Sequence, residues 1–250
     1  MFSLSSIPPV TKNILLLNIL FYIATLVLAG KGIDLIQLLG AHYVNSPLFE
    51  PYQIVTYFFM HSKDFFHILF NMLMLVMFGA HLERIWGPKR FFIFYIASAI
   101  GAFALYNIIG VYQIIQIKAE LTQLGYDLTS INQIIANNEL TQIPLLHPDD
   151  TGILTEYLSK SIIPMVGASG AIYGIMAGFA YLFPNTELML LFPPIPVKAK
   201  WLISIYFVIE LYSSFQNYQG DNVAHLAHVG GGITGFILVF IWNKNRSTFY

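Results

Sequence analysis

The sequence contains no cysteine, which excludes disulfide staples, thiol catalysis and cysteine-ligated metals. Charge is scarce too: Asp, Glu, Lys and Arg make up 10% of the 250 residues, where a soluble domain carries about 25%. No Lys/Arg-rich block occurs and the formal net charge is −1, so the basic footprint of a nucleic-acid-binding protein is missing. Apolar residues take the place of charge, at 56% of the chain, with a mean hydropathy of +0.66. So few charges cannot cover the surface of a soluble protein of this size. The solvent for most of that surface is the lipid bilayer.

A spanning helix needs about 20 largely apolar residues. Six segments meet this approximately, at 13–30, 65–86, 91–111, 163–183, 201–216 and 223–242, and predict an all-α, polytopic bundle in which residues 1–250 form one membrane domain. Gly87-Pro88 separates the second and third segments, and Pro193-Pro194-Ile195-Pro196 precedes the fifth. No small-residue cleavage site follows the first apolar run, so we expect a retained helix there and not a removed signal peptide. Lys12, Arg84, Lys89, Arg90, Lys198, Lys200, Lys244 and Arg246 then fall on one side of the membrane, which the positive-inside rule makes the inner one. The outer side keeps four lysines and most of the acids. This predicts a multi-pass protein of a bacterial cytoplasmic membrane with both termini cytoplasmic.

Two outer connections are long. Residues 31–64 are aromatic and apolar, and are expected to lie against the membrane surface. Residues 112–160 are polar and acidic and read as a partly helical outer insertion. Within them Ile114, Ile117, Leu121, Leu124, Leu128, Ile131 and Ile135 recur at spacings of three and four, an amphipathic helical pattern that Gly125 and Asp127 divide in two.

Polar and ionisable groups inside a bilayer are costly and therefore mark function. Here they gather on the even-numbered spans: His67 and Asn71 on the second, Ser169 on the fourth, His225 and His228 on the sixth. All lie near the outer ends, with Ser169 and His228 expected at about 10 Å depth from the 1.5 Å rise per helical residue. Gly170, Gly174 and Gly178 line one face of the fourth span, and Gly231 and Gly235 follow His228 down the sixth. Such stripes let helix backbones approach closely. If they face each other, the serine hydroxyl meets the imidazole that could take its proton.

With these residues on the page the chain resembles the rhomboid family of intramembrane serine proteases. Gly167-Ala168-Ser169-Gly170 is similar to that family's GxSx nucleophile motif. The run from His228 through Gly231 to Gly235 resembles its HxxGxxxG motif, and His67 to Asn71 its HxxxN motif. Gly79 to Gly87, with Glu83 within it, resembles its GxxxExxxG motif. The resemblance implies that Ser169 is the nucleophile and His228 its base, a dyad without a carboxylate. His67, Asn71 and the Ser169 backbone N–H would stabilise the oxyanion, and Glu83 would be structural. It further implies transmembrane protein substrates and neither metal nor cofactor. At the position where the family often has a Trp-Arg pair in the first outer loop, this chain has Tyr52-Gln53.

Other readings of the same residues stay open. His67 and His81 are spaced as in stacked-haem membrane cytochromes, but no other span carries a matching pair. His225 and His228 could hold a metal, for which Glu210 is the intramembrane carboxylate at hand. A non-proteolytic rhomboid-like protein could bind membrane clients without cutting them; such proteins usually lack the serine or the histidine, and both are present here.

Overall fold

The computed structural model describes residues 4–189, 194–215 and 224–244. Helices dominate. In chain order they are α1 (Pro9–Ala29), the short α2 (Leu35–Leu39) and α3 (Gln53–Thr56), α4 (Phe65–Trp86) and α5 (Pro88–Gln123). Then follow α6 (Leu128–Ala136), α7 (Thr151–Ile162), α8 (Ser169–Leu182), α9 (Ala199–Ser213) and α10 (His225–Lys244). The chain is a polytopic all-α bundle, interrupted by one antiparallel ribbon of β1 (Glu187–Met189) and β2 (Pro196–Lys198) in the proline-rich connection before α9. Of the expected fifth and sixth spans, residues 216 and 223 lie outside the described residues.

Helices α1, α4, α5 and α10 are each long and apolar enough to cross a membrane. Their outward residues are large and apolar, for example Leu20, Ile23, Phe66 and Phe240, as lipid contact requires. Helix α8 is different. Its 14 residues span about 21 Å at 1.5 Å each, and it lies in the middle of the bundle, with eight of them buried. Four glycines and alanines among these keep the helix thin where α5 and α10 close around it.

The expected 91–111 span does not stop at residue 111. Helix α5 continues to Gln123, because no proline interrupts it and its buried seam never breaks: Phe94, Ser98, Ala102, Gly110, Ile114, Ile117 and Leu121 follow one another at helical spacing. Its 36 residues give about 54 Å of helix, well beyond the roughly 30 Å of a hydrocarbon core. The lower seam faces the bundle. The upper seam joins a second apolar cluster with Tyr43, Tyr126, Ile131, Ile135, Leu154 and Tyr157. The three-four stripe is thus covered by the chain itself: by α7 and by Tyr43 of the first long connection. Gly125, with φ +90°, turns the chain after α5, and the Asp127 carboxylate caps α6 by accepting from the Thr129 N–H.

Two further contacts position the helices that carry the site. Glu83, 2% exposed, accepts hydrogen bonds from the Val10 and Thr11 N–H groups and from the Thr11 hydroxyl, at 2.7–2.9 Å. A carboxylate from α4 therefore satisfies the orphan donors at the start of α1, where a helix favours negative charge. At the other end of the bundle Gln53 is buried, accepts from the His42 N–H and donates to the carbonyls of Leu38 and Leu48. It knots the first long connection to itself.

Candidate functional site

Helix α8 does not begin at residue 163. Ile163 is extended before Pro164, as a pre-proline residue prefers. Met165 then forms an antiparallel bridge with Ala41, each donating its N–H to the other's carbonyl at 2.8 Å. Gly167 follows with φ +126°, a conformation that side chains disfavour, and its N–H donates to the Tyr57 carbonyl. Only after this turn does the helix start, so Ser169 is its first residue instead of lying a turn inside it. Its backbone N–H therefore has no acceptor within the helix and is free to serve an anion.

Helices α8 and α10 touch backbone to backbone. A methyl group built on Gly231 would overlap the Gly170 carbonyl oxygen, and one on Gly235 would come within 2.5 Å of the Gly174 backbone. The two glycine stripes do face each other over this stretch. Gly178 departs from the pattern and faces Phe94 and Trp86. The close approach brings Ser169 Oγ to 2.7 Å from His228 Nε2. His228 is buried, and its ring lies flat against Tyr173, with centroids 4.5 Å apart and planes 13° from parallel. Tyr173 is one turn below Ser169 on α8, so the residue that braces the imidazole comes from the helix that carries the serine.

The other ring nitrogen has a partner that the expectation of a dyad without a carboxylate does not include. His228 Nδ1 is 2.8 Å from Oε2 of Glu210, on α9. The same oxygen is 2.6 Å from His225 Nδ1, and Oε1 accepts from the Tyr173 hydroxyl at 2.5 Å. A lone acid in an apolar span was the signal in the sequence; what it could not reveal was that α9 turns this residue toward α8 and α10. His225 is accordingly a second partner of the carboxylate. Glu210, His225 and His228 each bring a ligand atom within 4.8 Å of the others, a grouping that the two imidazole contacts to Glu210 Oε2 account for.

His67 and Asn71 lie one turn apart on α4. The Ser62 backbone N–H donates to His67 Nδ1 at 3.3 Å, and the Ser62 hydroxyl lies 2.9 Å from the same nitrogen. A ring nitrogen that accepts from a backbone N–H carries no proton, so neutral His67 holds its hydrogen on Nε2. That nitrogen faces Gly167, where an added Cβ would come within 3.0 Å of it and 3.4 Å of Ser169 Oγ. His67 and Ser169 thus flank the space over Gly167. Asn71 is buried, and its amide donates to the His67 carbonyl at 2.7 Å, leaving one N–H uncommitted. Among the described residues it makes no hydrogen bond to Ser169 or His228. Just below Asn71, α4 widens into a π turn over Leu75–Gly79, a feature that often accompanies functional sites. Of the other histidines, His61 packs edge-on against His67, and His81 packs edge-on against Phe179 and Phe183.

A serine hydroxyl on an imidazole, with N–H donors beside it, is a constellation suited to acyl transfer. A family model described as the rhomboid domain matches residues 48–117 and 140–245, so it includes every residue of this site and leaves out 118–139. Rhomboid protein 1, a mitochondrial protein of Saccharomyces cerevisiae, is 26% identical over 206 residues, which cover 80% of this chain and 43% of that protein. An uncharacterized mitochondrial rhomboid protein of Schizosaccharomyces pombe is 41% identical over 91 residues, 34% of this chain and 23% of its own length. The chain thus spans less than half the length of either relative. With the family match running through the helices that build the site and covering well over half of the residues, this chain belongs to the rhomboid family.

Proposed function

We propose that the protein is an intramembrane serine endopeptidase that hydrolyses peptide bonds in or near transmembrane segments of other membrane proteins. The observation that carries this reading is the 2.7 Å contact of Ser169 Oγ with His228 Nε2 at the end of a buried helix. In the reaction the Ser169 oxygen bonds to the scissile carbonyl carbon while its proton passes to Nε2. The carbonyl oxygen becomes an oxyanion and meets the Ser169 N–H, His67 Nε2–H and the uncommitted N–H of Asn71. His228 then protonates the departing amine; a water molecule gives a proton to the same nitrogen as its oxygen bonds to the acyl carbon, and the Ser169 oxygen leaves, taking that proton back. The setting supports this substrate class: the site lies within a bundle whose outward residues are large and apolar, as lipid contact requires. The charge pattern assigns the N-terminus and the last helix end to the basic side, which is the cytoplasm for a bacterial inner membrane. Both relatives are mitochondrial by name, and the pattern carries orientation, not organelle.

The test is cleavage of a transmembrane substrate by purified protein, with a fluorophosphonate as a serine-directed label. Wild type is expected to cleave and to be labelled, and Ser169→Ala to do neither while folding normally. Equal cleavage by both would end the serine-protease reading. Absence of cleavage and labelling in wild type, with a membrane client still bound, would assign the non-proteolytic role instead.

A further inference from the structure

We propose that Glu210 is a positioning residue for His228, so that the site works as a Ser169–His228–Glu210 relay. This rests on the serine-protease reading above and deepens it.

Helix α9 is otherwise a lipid-facing element: Trp201, Ile205, Val208, Ile209 and Tyr212 all expose more than half of their surface, and Ala199 and Ile203 are its buried residues. An acid on such a helix is expensive unless other groups meet it. Glu210 is met by three, the Tyr173 hydroxyl and Nδ1 of His225 and of His228. These bonds clamp α9 to α8 and α10, and a clamp alone would explain an acid here. The choice of atoms goes further. A clamp is indifferent to which ring nitrogen it holds, but the carboxylate meets Nδ1, opposite the Nε2 that meets Ser169.

An ionised carboxylate can only accept, so Nδ1 must carry the imidazole proton. Nε2 is then a lone pair facing the serine hydroxyl, which is the tautomer a general base needs. When Nε2 takes the Ser169 proton, the ring becomes an imidazolium with its positive charge 2.8 Å from the carboxylate. Glu210 remains ionised throughout and gains or loses no proton. Two other contacts fix the geometry: Tyr173 covers one face of the ring and donates to Oε1, while His225 holds Oε2 from the side. Among the described residues, the charged and titratable groups around His228 are therefore Glu210 on α9, His225 on its own helix, Tyr173 on α8 and His67 on α4.

The experiment compares kcat and KM for a membrane substrate in wild type, Glu210→Gln, His228→Ala and the double variant, after Ser169→Ala has established that cleavage is serine-dependent. Glu210→Gln keeps the side-chain volume but can present an amide N–H to Nδ1 and stabilise the wrong tautomer. Its kcat is expected to fall by about 10²–10⁴-fold at nearly constant KM. In the His228→Ala background the same change should lower the residual rate no further, because residues acting as one unit are not additive. A Glu210→Gln enzyme with near-wild-type kcat would overturn the relay. So would an equal loss in both backgrounds, which would leave Glu210 as a clamp. If Glu210→Gln does not fold, Glu210→Asp decides: the relay predicts a reduced kcat per folded molecule, and the clamp predicts a lower melting temperature with kcat per folded molecule unchanged.

Discussion

Ser169 and His228 are 59 residues apart in the chain and meet through two local decisions. Pro164 and the positive φ of Gly167 delay the start of α8 until the serine, and Gly231 lets α10 come close enough for the imidazole to reach it. Of the two histidines on α10, only His228 contacts the hydroxyl; His225 contacts the carboxylate. His228→Ala should therefore lower turnover about as far as loss of the serine, since members of such a unit act together. His225→Ala should retain measurable activity, because one of the three donors to Glu210 is lost while the Nδ1 and Nε2 contacts of His228 remain. Single-turnover cleavage assays distinguish the two, and an inactive His225→Ala beside an active His228→Ala would move the base up one turn. Ser169, His228, His67 and Asn71 could all be named from residue type and spacing. Glu210 could be noticed but not assigned, because its partners are side chains on two other helices.

At the scale of the elements, the contact of α8 with α10 depends on having no side chain at Gly231. Gly231→Ala should cost about 1–3 kcal/mol from overpacking, and more if the helices cannot separate, because the obstacle is the Gly170 carbonyl and not a movable side chain. Cleavage should fall with it as Ser169 and His228 are pushed apart. Gly152→Ala on α7 is the control, since an added methyl meets nothing within 4 Å there. Thermal melting of the detergent-solubilised variants tests this: equal melting temperatures would show that α10 tolerates a displacement. The same scale contains the boundaries that sequence periodicity misjudged. The hydropathy of 163–168 looked like helix, yet Pro164 and pairing with Ala41 hold it extended. The amphipathic stripe from Ile114 looked like a helix of the outer insertion separate from the third span, yet α5 runs through both, because no proline follows Pro88 within it and the turn comes only at Gly125.

For the molecule as a whole, the second apolar cluster, which forms a cap, and the bundle are joined through the first long connection. Tyr43 belongs to the cap cluster, Lys118 donates to the Asn45 carbonyl, and Ser46 donates to the Ser161 carbonyl. Ala41 in the same stretch pairs with Met165, four residues before the candidate nucleophile. Residues 118–139 lie outside the family match and hold the end of α5 together with α6. Replacing them by a short Gly/Ser linker should change turnover of a full membrane substrate while leaving the rate of fluorophosphonate labelling of Ser169 unchanged. Loss of both would make the cap part of the fold, and no change in either would deny it a role in substrate approach.

Composition alone determined the solvent, because so few charges leave lipid as the surroundings, and the run lengths determined a helical bundle, because an isolated span must satisfy its own backbone. Spacing also determined which residues share a helix face, since the α-helical period is fixed. Tertiary structure decided everything that depends on one helix meeting another: that the glycine stripes of α8 and α10 are opposed, that Glu83 caps α1, that the outer stripe folds onto α7 and Tyr43, and that Glu210 points inward. In lipid an apolar face is no more drawn to another helix than to an acyl chain. Hydropathy therefore says that a helix crosses, and only close packing and a few buried polar contacts say which face it turns to its neighbours.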